Sequence, residues 1–284
     1  MPLAKKLAIV AALCAVVVIG FFIWFFTAFY MSMERGEENR RKLQAEQRSG
    51  RAYFNEQPAL LAVAQGVANN NPDAIRAAAQ AVPDLNAPGH EGMTLLCFAI
   101  RESWQRPELF DAVNALLAIG ADPNHTNGQQ DSFAMAAAVH ASEPVLRAML
   151  DARGNPNATD PFGRPIILMN WYLGYFPGQA RARMDLLLER GADINAAMPA
   201  RDEEEAGDTL LIRRTKMGLK DPRAYADALS LLERGADPNR ASANGTTFGK
   251  VLAAHRAQFS GPLKSAPPEF TALWTWAEGH SIQL

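Results

Sequence analysis

The sequence predicts an all-α fold, in which a solenoid of about six helix–turn–helix units follows one membrane-spanning helix. Two observations lead to this prediction. A short Gly-Ala-Asp-x-Asn motif recurs behind segments with helical apolar spacing, and one long apolar run near the N-terminus carries no charge. We divide the chain into residues 1–31 with the apolar helix, a polar stalk at residues 32–56 and a repeat domain at residues 57–284.

The first element is the apolar run at residues 7–30, which contains no charged side chain. A helix of this length, rising about 1.5 Å per residue, crosses a hydrocarbon core of roughly 30 Å. The run is longer than the apolar region of a secretory signal, and no Ala-x-Ala-like site follows it, so an uncleaved anchor is favoured over a signal peptide. Cys14 lies inside the run behind Leu13, which does not suit a lipid-modified cysteine.

The basic residues around this run give two readings of its orientation. Those that follow it, between residues 35 and 48, outnumber Lys5 and Lys6 before it, which favours a cytoplasmic repeat domain. The short, purely basic N-terminus instead resembles a signal anchor with a cytoplasmic tip. We favour this second reading, which predicts an inner-membrane protein with its repeat domain in the periplasm, and leave the cytoplasmic orientation open.

The second element is the stalk, which is polar and has no apolar periodicity. Its Glu, Arg, Lys and Gln content favours helix. Glu37 with Arg41 and Glu38 with Lys42 are spaced four residues apart, with the acid first, which stabilises a helix. The sequence therefore predicts a solvated, partly helical segment.

The repeat domain is defined by a turn motif that ends in asparagine. Each copy follows a short helix with two inward apolar residues. A glycine or its substitute ends the helix because glycine adopts positive φ without strain, and the Asp-x-Asn that follows favours a turn. Successive closing asparagines are separated by 38, 33, 38 and 44 residues. They are Asn86, Asn124, Asn157, Asn195 and Asn239.

A second motif follows each turn and predicts the start of the next helix. It consists of a glycine, then threonine or a substitute, then an apolar run, as at Gly92-Met93-Thr94-Leu95-Leu96. A threonine hydroxyl at this place can accept hydrogen bonds from the free N–H groups of the first helical turn. Thr209 and Thr247 stand in the same position in later units.

These two motifs together resemble the ankyrin repeat, whose first helix starts with T-P-L-H-x-A and whose second ends with G-A-D-x-N. The resemblance covers residues 58–284; Thr94, Leu95 and Ala99 keep the start motif, whereas its Pro and His are lost. It implies stacked helix pairs with hairpin fingers, a concave face built from fingers and first helices, and protein binding. The first and last units, 58–86 and 245–284, diverge as terminal units of a solenoid do.

No pattern of catalytic or metal-binding residues is found. The five histidines are scattered, and no zinc-protease, nucleophile-elbow, phosphate-loop or Cys-x-x-Cys motif is present. A net charge of −2 does not favour nucleic-acid binding, and Cys14 and Cys97 do not suggest a disulfide. We therefore expect no enzyme activity, catalytic residue, cofactor, metal or small-molecule substrate.

Three features between residues 158 and 216 predict a partner surface. Exposed aromatic side chains suit protein binding, unless a long loop folds back and buries them. The acidic run Asp202–Glu205 would lie at the tip of a finger, where it could attract a basic partner. Arg213 and Arg214 replace apolar residues of a first helix, so either that helix is shifted or shortened or they line the groove, with the acidic finger as counter-charge. The predicted contact residues are Phe162, Trp171, Tyr172, Asp202, Glu203, Glu204, Glu205, Arg213 and Arg214.

The function that these features predict is a membrane-anchored protein–protein interaction module, acting as a scaffold or regulator at the cell envelope. The partner is another protein, and the membrane is reached through residues 7–30. An alternative is an immunity protein that neutralises a toxin or a lipase-type effector. An enzyme or metal-binding protein is the competing class.

Overall fold

The computed structural model describes residues 33–34, 36–126, 134–169, 179–200, 205–259 and 265–284. The chain divides between Ala52 and Tyr53 into two compact units, of which Tyr53–Leu284 contains the repeats. The apolar run predicted to cross the membrane, residues 7–30, lies outside the described residues. None of the helices that the structure describes has the length and apolar character needed to span a bilayer.

The stalk contains a helix, α1, at residues 36–48. Both predicted ion pairs form on it, with 3.8 Å between Arg41 Nη2 and Glu37 Oε2 and 3.4 Å between Lys42 Nζ and Glu38 Oε1. All four side chains are more than half exposed, so each pair contributes only a few tenths of a kcal/mol, about 0.3–0.5. The predicted helical character of the stalk is confirmed for these residues.

Six helix pairs follow within the described residues, after the short helix α2, Arg51–Phe54. We number these pairs as units 1 to 6. The first helices are α3 Pro58–Ala68, α5 Leu95–Ser103, α7 Ala134–Ala138, α9 Ile166–Met169, α11 Leu210–Met217 and α13 Phe248–Phe259. The second helices are α4 Pro72–Ala79, α6 Phe110–Ala118, α8 Glu143–Asp151, α10 Ala180–Glu189, α12 Arg223–Glu233 and α14 Pro268–Gly279. Apart from two isolated β-bridges, the described residues contain no extended pairing, so the all-α prediction is confirmed.

The threonines cap the helix starts as predicted. Thr94 Oγ1 accepts from Cys97 N at 3.2 Å, and Thr209 Oγ1 accepts from Ile212 N at 3.4 Å. Thr247 Oγ1 does the same for Lys250 N at 3.3 Å. Each hydroxyl satisfies one of the N–H groups that the first helical turn leaves without an intrahelical partner.

The second helices of units 2 to 6 end in a residue with positive φ, followed by an amide that donates to the carbonyl five residues back. Gly120, Gly191 and Gly235 take this place with φ of +98°, +89° and +94°. In unit 3 the same place is held by Arg153, at φ +68°. In the C-terminal unit it is held by Ser281, at φ +54°. This geometry ends each helix at a fixed point and directs the chain into the turn.

The asparagines of the turn motif form a ladder that connects neighbouring units. Asn124 Oδ1 accepts from Asn155 N at 2.6 Å, and Asn157 Oδ1 accepts from Asp193 N at 2.7 Å. Asn86 and Asn195 bond the next turn in the same way, at 2.8 Å. The sequence predicted the turns but not these bonds between them, because the repeat distance in space is not visible in the spacing along the chain.

Neighbouring units stack with first helices packed against first helices and second helices packed against second helices. The first helix α5 packs between α3 and α7, and the second helix α6 packs between α4 and α8. Leu116, Leu187 and Leu231 are fully buried, as expected of the inward apolar residues of the second helices. The core begins before unit 1, because the fully buried ring of Phe54 lies edge-on to Phe98 with 6.0 Å between the centroids.

Candidate functional site

The finger of unit 4 is a tight hairpin held by backbone hydrogen bonds. Thr159 and Pro165 form an antiparallel bridge at its base. Within the turn, Asp160 N donates to Arg164 O at 2.9 Å, and Gly163 N donates to Asp160 O at 2.8 Å. The hairpin finger that the ankyrin resemblance implies is therefore present here.

One carboxylate organises this finger from inside. Asp160 is only 4% exposed; its Oδ1 accepts from Phe162 N and Arg164 N, each at 2.8 Å, and its Oδ2 accepts from Arg164 Nε at 2.6 Å. The Arg164 guanidinium lies 5.2 Å from the centroid of the Phe162 ring. Phe162 itself is 44% exposed, which confirms the predicted exposure. The ring is thus exposed to solvent from a turn whose backbone is fixed by the hydrogen bonds to Asp160.

The finger of unit 5 is joined to its own base and to the next finger. Met198 N donates to Asp208 O at 3.0 Å, and Gly207 N donates back to Met198 O at 2.9 Å. Ala243 N in the finger of unit 6 donates to Ala206 O at 2.8 Å. The fingers of units 5 and 6 are therefore held together by main-chain contact.

Arg213 is buried on α11 and is paired with the acidic finger, as its sequence position suggested. It is 7% exposed, and its Nη1 lies 2.6 Å from Glu205 Oε2. Burial, together with the nearby charge of Arg164, lowers the pKa of Arg213 to about 10, still well above neutral pH. The helix is neither shifted nor shortened, because Thr209 caps it in the expected register.

Arg214 is buried as well and binds a carboxylate on the second helix of its own unit. It is 6% exposed, and its Nη2 lies 2.5 Å from Oδ2 of Asp227, which is 5% exposed. The other oxygen of Asp227 lies 2.7 Å from Arg181 Nη1 in unit 4. Arg213 and Arg214 were predicted to contact a partner, but the structure places them beneath the surface, where they link elements of the repeat domain.

Five of the predicted contact residues are not placed by the structure. Trp171 and Tyr172, and with them the question of whether the long loop buries its aromatics, lie outside the described residues. Asp202, Glu203 and Glu204 also lie outside them. Their part in a partner surface stays a prediction.

Sequence reasoning missed two residues that shape this region. Asp227 joins Arg214 to Arg181, and Arg183 on α10 is fully buried and donates to Ala141 O in unit 3 at 3.0 Å. A signal for Arg183 was available, because it stands four residues before the buried Leu187 and therefore on the same face of the helix. Charged residues on the apolar face of a repeat helix predict structural pairs.

Within the described ranges, no group of three His, Cys, Asp or Glu side chains is arranged to hold a metal ion. A groove of about 510 Å³ lies on the finger side of units 3 and 4, lined by Asn124, His125, Met135, Asn157 and Thr159 among others. It is open and mixed in polarity, which suits contact with a protein surface better than enclosure of a small molecule.

No protein-family model matches the chain, and no curated protein matches it. Solved structures do. An ankyrin repeat domain from Acinetobacter baumannii AYE aligns with a TM-score of 0.57 at 20% identity, over 78% of this chain and 98% of that one. The ankyrin repeat protein EF0377 aligns at 0.55 and 18% identity, over 76% and 97%. The ankyrin repeat domain of Bcl-3, a member of the IkappaB protein family, aligns at 0.55 and 17% identity, over 76% and 81%. Residues Tyr53–Leu284 therefore have the ankyrin-repeat fold.

Proposed function

We propose that this chain is a membrane-anchored ankyrin-repeat protein that binds another protein through the fingers of units 4 and 5. The observation that carries the proposal is Phe162, a large aromatic ring that is 44% exposed and held in a rigid turn. Large apolar side chains exposed at a fixed position are common centres of protein interfaces, because binding them costs little conformational entropy. The fold by itself names no partner.

The charged residues of units 4 and 5 have two roles in this proposal. Glu205 is neutralised by Arg213, a pair that fixes the finger of unit 5 to α11. Asp227 is neutralised by Arg181 and Arg214, and these pairs join the helices α10, α11 and α12. Asp202, Glu203 and Glu204 are the acids for which we propose direct steering of a basic partner, with Trp171 and Tyr172 as further apolar contacts. Exposed charges of this kind change association rates and salt dependence more than affinity.

The binding proposal is tested by capturing the partner with the full chain from its native envelope and measuring its affinity. Phe162→Ala should weaken binding by more than about 1 kcal/mol with an unchanged melting temperature, because the ring is outside the core. Leu284→Ala is the matched control, since Leu284 is also a large exposed apolar residue but lies outside the fingers. Normal binding by Phe162→Ala, or equal losses in both variants, would reject the site. The identity of the captured protein separates a scaffold from an immunity protein.

The anchor and its orientation are the second part of the proposal. Residues 7–30 hold the chain in the inner membrane, and the repeat domain lies in the periplasm. Alkaline phosphatase fused after Leu284 should then be active, because it folds only where disulfides form. An inactive phosphatase fusion together with a fluorescent cytoplasmic reporter at the same position would reverse the orientation.

A further inference from the structure

The α11–α12 turn, by which we mean the last residue of α11 and the residues that lead to α12, carries two exposed large apolar side chains close together. Met217 is 44% exposed and Leu219 is 39% exposed. Among the described residues of the repeat domain, the other large apolar side chains with comparable exposure are Phe162 and the C-terminal Leu284. Single exposed apolar residues are ordinary on a protein surface, whereas two in one turn form a small patch.

The turn is built so that these two side chains must point outward. Gly218 between them is buried, and a Cβ on it would lie 2.1 Å from the ring of the fully buried Tyr225. The backbone is fixed in turn by hydrogen bonds from Lys220 N and Asp221 N to Met217 O, at 2.9 and 3.0 Å. The glycine therefore seats the turn on the core, and its neighbours face solvent.

Basic residues surround the apolar pair. Lys220 is exposed and has no salt-bridge partner among the described residues, and Lys216 is paired through Asp208 while its side chain stays 37% exposed. Asp221 is the one acid in the stretch from 216 to 223, and the guanidinium of Arg223 lies 3.0 Å from it. The exposed surface of the turn thus combines two apolar side chains with the positive charge of Lys220, since Lys216 and Arg223 are each paired with an acid.

From this arrangement we infer that the α11–α12 turn docks onto an anionic lipid surface. Apolar side chains enter the boundary between headgroups and acyl chains, while lysines remain beside the phosphates. By themselves two side chains do not make a stable protein interface, which buries roughly 800 Å² on each partner and needs further contacts around them. A weak lipid contact is sufficient when the same chain is already tethered, because the tether raises the local concentration. Because it relies on this tether, the inference rests on the proposed membrane anchor.

Oxidation of Met217 provides a label-free test in the full chain. The chain is reconstituted into vesicles of phosphatidylcholine alone or with added phosphatidylglycerol and treated with peroxide, which crosses membranes. Peptide mass spectrometry then gives the oxidation rate of each methionine. We expect Met217 to oxidise several-fold more slowly in the anionic vesicles, and this protection to decrease with salt. Met93 and Met149, at 1% and 0% exposure, are internal controls that should not respond.

Two matched variants separate a specific contact from general charge attraction. Lys220→Glu should remove the protection of Met217, whereas Lys250→Glu, an equal charge change at an exposed residue beside the finger of unit 6, should leave it intact. Leu219→Ser should reduce the protection by removing the neighbouring apolar contact. Equal Met217 oxidation in both vesicle types, or equal effects of the two lysine variants, would overturn the inference, and the first result would leave the turn as a surface for an acidic protein.

Flotation of the same vesicles keeps the anchor and the turn distinguishable. A chain that floats with neutral vesicles but shows no protection of Met217 in anionic ones retains its anchor and lacks the docking contact. A chain that floats with anionic vesicles alone, with Met217 protected, has the docking contact without the anchor. The binding experiment on Phe162 is independent of both.

Discussion

Asp160 illustrates how one buried carboxylate determines what the surface of a finger presents. Its two oxygens receive the amides of Phe162 and Arg164 and the Arg164 side chain, so three donors depend on it. The sequence predicted the exposure of Phe162 from its place in the turn, but not the role of Asp160, which could equally have been a solvated loop residue. Only the burial of its side chain, which is 2% exposed, distinguishes a carboxylate that organises the turn from a solvated loop residue.

We expect Asp160→Ala to destabilise the repeat domain by about 2 kcal/mol, since it leaves the donors of a nearly closed turn without their acceptor. Asp160→Asn keeps an acceptor oxygen for the amides and should cost less. Asp151→Ala is the control, because Asp151 also pairs with an arginine, Arg190, but is 58% exposed. Chemical unfolding of the three variants checks the order; equal losses for Asp151→Ala and Asp160→Ala would contradict it.

After α8, two residues of the turn motif differ from those in the other units. Arg153 takes the positive-φ place that glycine holds elsewhere, and Gly154 takes the place of a small buried alanine. Arg153→Gly should stabilise the domain by about 0.5–1 kcal/mol, because a left-handed backbone is strained for residues with a Cβ. Gly154→Ala should destabilise it, since the new Cβ would lie 2.5 Å from Met135 Sδ and 2.7 Å from Met149 O. Melting temperatures that move together in the two variants would be inconsistent with this account.

At the scale of elements, the asparagine ladder joins one unit to the next. Asn157 accepts from Asp193 N at 2.7 Å and donates to Gly191 O at 3.0 Å, so its side chain connects units 3 and 4 twice. Asn157→Ala should cost about 1–3 kcal/mol in unfolding free energy. Asn239 holds the same position in the last turn motif, but it is exposed and its side chain makes no ladder bond among the described residues, so Asn239→Ala should cost much less. Similar losses in urea unfolding would show that the ladder bonds contribute little.

The contact between units 5 and 6 contains a titratable pair. Tyr225 Oη lies 2.9 Å from His255 Nδ1, and burial lowers the pKa of His255 below its ordinary value of 6.5. The unfolded chain then binds more protons than the folded one as pH falls below about 6.5, so the free energy of unfolding should decrease in this range. His255→Gln keeps a polar group but does not titrate, and its stability should vary less with pH than that of the unmodified chain. Identical pH profiles from thermal unfolding would exclude a contribution from His255.

Helices and turns of the repeats could be predicted because their signals are local. Thr94 and Thr209 act on amides three residues away, and the glycines act on their own backbone. The carboxylates that pair with Arg213 and Arg214 lie at different distances along the chain. Glu205 is eight residues from Arg213 in the adjoining finger and was predicted, whereas Asp227 lies on another helix and becomes a neighbour of Arg214 only through packing.

At the scale of the whole repeat domain, stability is expected to follow the stacking of units. Asp227 connects Arg181 of unit 4 with Arg214 of unit 5. Asp227 and Arg214 are buried, whereas the side chain of Arg181 is 49% exposed. Asp227→Ala should destabilise the domain by about 3–5 kcal/mol because it removes the carboxylate that pairs with the buried guanidinium of Arg214. Adding Arg214→Met should recover part of this loss. Calorimetry of the single and double variants tests it, and a double variant less stable than Asp227→Ala would contradict the assigned pair.

The core leucines test whether the units behave as a nearest-neighbour array. Leu116, Leu187 and Leu231 are fully buried in units 2, 4 and 5, so each substitution to alanine in residues 53–284 should cost about 2–5 kcal/mol. In a solenoid each unit contacts only its neighbours, so the losses for Leu116 and Leu231 should add to within about 0.5 kcal/mol. Leu187 and Leu231 lie in adjacent units and should deviate from additivity. Denaturant unfolding of the single and double variants measures both quantities. Strong coupling between Leu116 and Leu231 would contradict a stack in which each unit interacts only with its neighbours.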